Sequence, residues 1–431
     1  LTPFHYRCTD CGKSFSRDDV RYLCLDCGKK YRPGIPLTGV LEAVFDYQVI
    51  HTAFRKESPD WNLFCAIEPE FFPPLPVGGT PLVKVDRLGT GLGLTDLWVK
   101  NDGLNPSGSL KDRASFLVAA EARRIGESKV VAASTGNAAS ALATICASAG
   151  LDALIFVPQK APRAKLVQMV LAGAQVVPVK GTYDDAFRLS LEYTAQRGGL
   201  NRNTAYHPLT IEGKKTVGLE IWAQLGWRVP DAIFVSVGDG VILGGLHKAF
   251  VDLMRAGLID KVPRLIGVQA EKSDAIHRYV RTGEYNDAPD PSTVADSISV
   301  VCPSNAHGAR RAILLSNGLT LTVSDTEILE AQAVLASRTG VFTEPAGATA
   351  VAGLVKLQAS PDRLPADSCV VILATGHGLK DIDAPLSRIS IPQAIEPSLE
   401  ALSFSHNPGT SPALSHVGAA ASAPVAGVRR A

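Results

Sequence analysis

Between about residues 76 and 390, short apolar runs rich in β-branched residues alternate with longer amphipathic stretches. The runs are LWVK, KVVAAS, ALIFVP, QVVPVK, AIFVSVG, RLIGVQA and CVVILATG. The stretches between them are rich in Ala, Leu, Glu and Arg and carry a helical period. This alternation predicts βαβ units, that is, parallel sheets with helices on both faces. Upstream, Pro59, Pro69, Pro73, Pro74 and Pro76 interrupt any long element. Beyond about 395 the chain turns Ser/Ala/Pro/Gly-rich (SHNPGTSPALSHVGAAASAPVAGVRRA). Such a composition buries too little surface to offset the cost of ordering, so a disordered tail is expected. No internal repeat is visible.

Composition supports this picture. A chain of 431 residues has room for two or three domains and a large core. With 46% hydrophobic but only 6% aromatic residues, it suits an α/β enzyme better than an all-β protein. A net charge of +1 gives no strong pull toward nucleic acid or an anionic membrane. No apolar run reaches the roughly 18 residues of a membrane span. The first residues, LTPFHYRCTD, lack the layout of a signal peptide, so a cytoplasmic location is expected.

Four of the eight cysteines cluster. Cys8, Cys11, Cys24 and Cys27 form C-x2-C-x12-C-x2-C, whereas Cys65, Cys146, Cys302 and Cys369 are scattered. Two C-x-x-C turns at this spacing read as a four-thiolate zinc site, closed by its protein ligands and therefore structural. Gly12 and Gly28 follow each pair, where a tight turn needs an unhindered backbone. The competing reading is a cluster of reduced surface cysteines, or a ribbon that has lost its metal.

Ligands collect at the carboxyl edges of parallel strands, and four loops after the apolar runs carry chemistry. In Asn105–Ala114 (NPSGSLKDRA), Pro106 and Gly108 force a turn, and Ser109 is expected to cap a helix starting near Leu110. Lys111 then stands at a helix start, where the positive dipole end favours its neutral amine. In Ser134–Ser140 (STGNAAS), amides and the Ser134 and Thr135 hydroxyls form a carboxylate cradle, and Asn137 offers an amide. Val237–Gly245 (VGDGVILGG) lets backbone approach an anion ahead of a helix, although it matches neither a Rossmann nor a Walker pattern. In Ala374–Asp381 (ATGHGLKD), Thr375 can hydrogen-bond an aromatic ring nitrogen. Each loop alone is equally an ordinary strand–helix turn.

In order and joint presence the loops resemble the pyridoxal-phosphate (PLP)-dependent β-family, fold type II. They are most similar to the threonine synthases, which pair N-P-S/T-G-S-F/L-K-D-R with S-T-G-N, a glycine-rich loop and T-G-H-G-L-K-D. Some branches of that family add an amino-terminal cysteine knuckle. The resemblance covers about residues 5–390. It implies two doubly wound parallel-sheet domains with a zinc-ribbon-like knuckle at 1–35. A connecting segment and the start of the large PLP domain take 36–115, a small α/β domain 116–205, the large domain 206–395 and the tail 396–431. It implies that Lys111 holds PLP as an imine and then serves as general base and acid. Asn137 would hold the ring oxygen, amides of Gly238, Asp239, Gly240, Val241 and Ile242 the phosphate, and Thr375 the ring nitrogen. Ser134, Thr135 and Ala138 would line the substrate carboxylate pocket. The implied reaction turns O-phosphohomoserine and water into threonine and phosphate, in a homodimer.

The chain departs from that pattern in two places. Asp239 puts a carboxylate beside the anion loop. In 203–216 (NTAYHPLTIEGKKT), Thr204, Ala205 and Thr210 stand where threonine synthases show Asn, Ser and Arg from N-S-x-N-P-x-R-x-E-G-Q-K-T. Ala138 likewise stands where a hydroxyl residue is common. Thr cannot replace a bidentate Arg on phosphate. Lys214, Lys215 or Arg113 must take over, or the substrate is another amino acid undergoing elimination or replacement, as in dehydratases and cysteate-synthase-like enzymes. A catalytically silent relative is a third reading, which the intact Lys111, Asn137 and Thr375 oppose. His377 is expected to pack near the ring. His207 and His247 are expected on the surface or in helices, and Arg310 and Arg311 are possible neighbours of the substrate.

Overall fold

A computed structural model describes residues 2–32, 34–159, 163–181, 183–389, 391–399 and 401–402. Most of the tail expected to be disordered, from 403 on, lies outside the described residues.

Near the amino terminus, β1 (Phe4–Cys8), β2 (Ser14–Phe15) and β3 (Leu41–Phe45) form an antiparallel sheet in the order β2-β1-β3. Next in the chain come β4 (Leu82–Lys84), β5 (Asp96–Asn101), β6 (Lys129–Ala133), β7 (Asp152–Pro158), β8 (Gln175–Val179) and β9 (Leu200–Asn201). The last four strands are β10 (Ala232–Ser236), β11 (Arg264–Ala270), β12 (Leu319–Val323) and β13 (Cys369–Ala374). Two further sheets result, ordered β12-β11-β10-β13-β5-β4 and β8-β7-β6-β9. Every pairing in them is parallel except β4 with β5 at an edge.

All seven apolar runs are strands. The four in the larger sheet read as continuous because that sheet is covered on both faces, so both pleat positions are apolar. Ile233, Val235, Val371 and Leu373 face one core, with the helices Lys111–Arg124, Leu209–Gln224 and Val241–Arg255. Ala232, Phe234, Val370 and Ile372 face the other, with Asp325–Thr339 and Pro345–Gln358. Three strands of these sheets escaped the periodicity. β12 (LTLTV) alternates Leu or Val with Thr, β4 is an edge, and β9 has two residues. The crossover from β10 to β13 brings the carboxyl ends of β5, β10 and β13 side by side. The carboxyl end of β6 opens toward them from the smaller sheet, and the site lies between.

Candidate active site

The Lys111 loop is pinned from both sides. Gly108 has φ +84°, and an added Cβ there would meet Lys380 Cδ at 3.4 Å. Leu110 N–H donates to Thr375 O, and His377 N–H donates to Gly108 O, both at 2.9 Å. These bonds stitch the first loop to the fourth. The expected Ser109 cap is absent. The helix Lys111–Arg124 takes Leu110 as its N-cap without a side-chain bond, and the buried Ser109 hydroxyl has no hydrogen-bond partner among the described residues. The Asp112 carboxylate instead closes the turn by accepting from Ser107 N–H at 2.7 Å. The order of Ser and Asp cannot distinguish these two closures, because both side chains favour local backbone bonds.

Lys111 is the first residue of its helix, is half-buried and lines a cavity. Burial pushes its ammonium below the ordinary range and Arg202 acts the same way, against Glu344 and Asp239. Asn137 opens the helix Asn137–Ala149. Its Nδ2 donates to Glu344 Oε1 at 2.7 Å and to Ser297 Oγ at 3.4 Å. Ser134 Oγ accepts from Gly136 N–H at 3.2 Å, which turns the chain into that helix.

The glycine loop wraps tightly. Gly240 caps the helix Val241–Arg255 at φ +81°, and an added Cβ would meet Asn305 O at 3.1 Å. Among the described residues, the amides from Gly238 to Ile242 donate to no protein acceptor. They open the helix, as an anion cradle requires. Asp239 does not spoil the cradle. Its Oδ1 accepts from Ser304 N–H at 3.3 Å and its carbonyl from Asn305 N–H at 3.0 Å, so the carboxylate is engaged with the 304 loop.

All twelve predicted non-cysteine site residues line one cavity of about 400 Å³: Lys111, Ser134, Thr135, Asn137, Ala138, Lys214, Gly238, Asp239, Gly240, Val241, Ile242 and Thr375. The same walls include Thr204, named from the sequence as standing where threonine synthases show Asn, and Tyr183, Arg202, Ser297 and Glu344, which the sequence did not point to. Glu344 directly precedes Pro345, a helix-start signal that was available. Arg202 follows β9, which is too short to announce itself.

Three cations were offered as replacements for the missing arginine. Arg113 is committed elsewhere, to Asp102 at 2.7 Å and Glu220 at 2.6 Å. Lys215 is bound to Glu212 at 2.6 Å and Asp252 at 3.1 Å. Only Lys214 reaches the cavity. Thr210 is turned inward, its Oγ1 accepting from Ala205 N–H at 3.0 Å and donating to His207 O at 2.7 Å. Arg310 and Arg311 lie away from the cavity walls. Arg310 stacks on Tyr279, and Arg311 donates to Thr9 O at 3.0 Å. His207 is buried and outside any helix, contrary to expectation, whereas His247 is helical.

At the knuckle, the sulfurs of Cys8, Cys11, Cys24 and Cys27 all lie within 4.8 Å of one another, and Cys11 Sγ is 3.8 Å from Cys24 Sγ. Tetrahedral thiolates about 2.3 Å from zinc are themselves about 3.8 Å apart, so the four donors fit that ion. Gly12 takes φ +74°, and an added Cβ at Gly28 would press on Leu23 Cβ at 2.9 Å.

The pyridoxal-phosphate dependent enzyme family matches residues 74–376. A threonine synthase of Methanosarcina acetivorans is 35% identical, over 93% of this chain and 98% of its own. One of Methanocaldococcus jannaschii is also 35% identical, over 92% and 98%. Among solved structures, threonine deaminase isoform 2 of Solanum lycopersicum matches with TM-score 0.60 and 21% identity, over 77% of this chain and 83% of its own. Diaminopropionate ammonia lyase of Escherichia coli matches with TM-score 0.61 and 18% identity, over 72% and 88%. These two likenesses are of fold. The chain belongs to the pyridoxal-phosphate-dependent enzyme family and, within it, to the threonine-synthase-like branch.

Proposed function

We propose that this enzyme is a threonine synthase, which converts O-phosphohomoserine and water to threonine and phosphate. The observation that carries the reading is one cavity walled by the Lys111 amine, by amides at Gly238–Ile242 that are unbonded among the described residues, and by the polar groups of Asn137 and Thr375. That donor set fits PLP: a nucleophilic amine for its aldehyde, a helix start for its phosphate, and an amide and a hydroxyl for its ring. When bound, PLP supplies an electron sink that acidifies the bonds at the substrate's Cα and Cβ.

The chain's own residues do the rest. Lys111 would hold the cofactor through its side-chain amine. Burial and the Arg202 charge favour its unprotonated form, so Lys111 would accept the proton from Cα and move protons at Cβ. Ser134, Thr135 and Ala138 receive the carboxylate at the start of the Asn137 helix. Asn137 would hold the cofactor's ring oxygen and Thr375 its ring nitrogen. Phosphate leaves from Cγ, Cγ takes up a proton in place of the one lost from Cβ, and water supplies the hydroxyl at Cβ.

The four cysteines hold a structural zinc in this reading, supported by their separations. The four-stranded sheet belongs to the small domain and the six-stranded sheet to the large one. The enzyme is a cytoplasmic homodimer acting on a small amino acid. The exposed Leu171 and Leu379 support a subunit contact, and among the described residues no helix is long and apolar enough to cross a membrane. Incubating the PLP-loaded enzyme with O-phosphohomoserine tests the function. Phosphate and threonine appear in equal amounts if the proposal holds, and another product, or none, refutes it.

A further inference from the structure

Six lysine and arginine side chains are buried among the described residues: Lys100, Arg113, Arg202, Lys214, Lys215 and Lys248. Four have carboxylate partners at 2.6–2.7 Å, namely Glu220, Asp102, Glu212 and Asp252 in turn for Lys100, Arg113, Lys215 and Lys248. The other two, Arg202 and Lys214, form no ion pair among the described residues, and both line the active cavity. A buried cation without a counter-charge is costly, and is retained where an anion completes it.

The two side chains are held in place without being neutralised. Arg202 projects from the carboxyl end of β9, donating from Nε to Ser115 Oγ and from Nη1 to Thr204 Oγ1, both at 3.1 Å. Lys214 comes from the opposite side, on the helix Leu209–Gln224. That helix packs so closely on the next that an added Cβ at Gly245 would meet Lys214 Cβ at 3.0 Å. Lys214 makes no hydrogen bond among the described residues.

We infer that Arg202 and Lys214 form an anion subsite in the active cavity, built for the phosphate that the substrate carries and releases. This rests on the threonine-synthase reading above. The anions of that reaction number three: cofactor phosphate, substrate carboxylate and substrate phosphate. The free amides of Gly238–Ile242 serve the first and the Ser134–Asn137 helix start the second, which leaves the two cations for the third. They supply the charge lost where Thr210 replaces arginine. Burial, Lys111 and Arg202 all depress the Lys214 amine, against Asp239, and an arriving dianion relieves that repulsion.

The test uses the full-length, PLP-loaded enzyme with Arg202→Gln and Lys214→Gln. Calorimetry gives the affinity for inorganic phosphate, absorbance titration gives the affinity for PLP, and kinetics give the KM for O-phosphohomoserine. Each variant is expected to weaken inorganic phosphate binding by about 10-fold or more and to raise KM in parallel, with PLP affinity changed less than about 2-fold. Unchanged phosphate binding in both variants overturns the inference. So does a fall in PLP affinity with phosphate binding intact, which assigns the cations to the cofactor. Loaded wild-type enzyme that binds no inorganic phosphate overturns it without any variant. If O-phosphohomoserine is not turned over but both variants lose phosphate binding, the threonine-synthase reading fails and the subsite stands.

Discussion

Lys111 shows how one side chain acquires its chemistry from its surroundings. A lysine in water is almost wholly protonated at neutral pH. Here the helix start, burial and the Arg202 charge all favour the free amine. Lys111→Ala is expected to abolish the visible band of lysine-bound cofactor and to lower turnover by at least roughly 100-fold. Full activity in that variant contradicts the assignment. His207 gives a pH signature. Burial first, then Arg21 and Arg202, push it down to about 3. Its folded pKa lies below the unfolded value of about 6.5, so the unfolded chain binds more protons between the two. The stability it contributes is complete above about pH 6.5 and is lost as pH falls toward 3. His207→Gln is expected to shallow the acid side of the stability curve, by about 2 kcal/mol at pH 5 relative to pH 7. An acid limb of unchanged slope in chemical denaturation counts against this. At this scale, the residues legible beforehand were those in dense local motifs, such as Lys111, Asn137 and Thr375. Arg202 and Glu344 were not, since each stands alone beside ordinary neighbours and gains meaning only from what faces it across the cavity.

At the scale of elements, the segment that carries Arg202 and Thr204 is held by the knuckle. Tyr22 Oη accepts from Asn201 N–H at 3.0 Å, and its ring stacks on Tyr206 at 4.6 Å and meets His207 edge-on at 5.7 Å. Leu23 and Tyr31 pack with Ala205, Ile211 and Val241, the last being the first residue of the helix that offers the free amides. Tyr22→Ala removes the acceptor and the stacked ring together. It is expected to raise the KM for O-phosphohomoserine several-fold while changing kcat little, because the subsite loosens and Lys111 does not. An equal loss in kcat, with KM unchanged, contradicts this account. The central strands, such as β10 and β13, were legible because burial on both faces leaves an unbroken apolar run. This knuckle contact was not, because aromatic stacking between segments some 180 residues apart leaves no periodic trace.

For the whole molecule, the arrangement is two parallel sheets meeting at their carboxyl edges, with a small cysteine-bound sheet braced against one wall. Four separate loops become one site only through the order β10-β13-β5 in the larger sheet and the position of β6 in the smaller. The strand runs showed the ingredients, and the topology set their meeting point. Cys8→Ser with Cys11→Ser is expected to release one zinc per chain and lower the melting temperature while leaving the cofactor's absorbance in place. Absence of zinc in the wild-type protein contradicts the metal assignment. The central claim concerns the substrate, and the most direct measurement mixes purified, PLP-loaded enzyme with O-phosphohomoserine and follows phosphate and threonine together. Equimolar formation of both is predicted. An enzyme that keeps its lysine-bound cofactor band yet releases neither, or that forms a keto acid instead, contradicts it and makes the altered 204–210 segment the mark of a different amino acid.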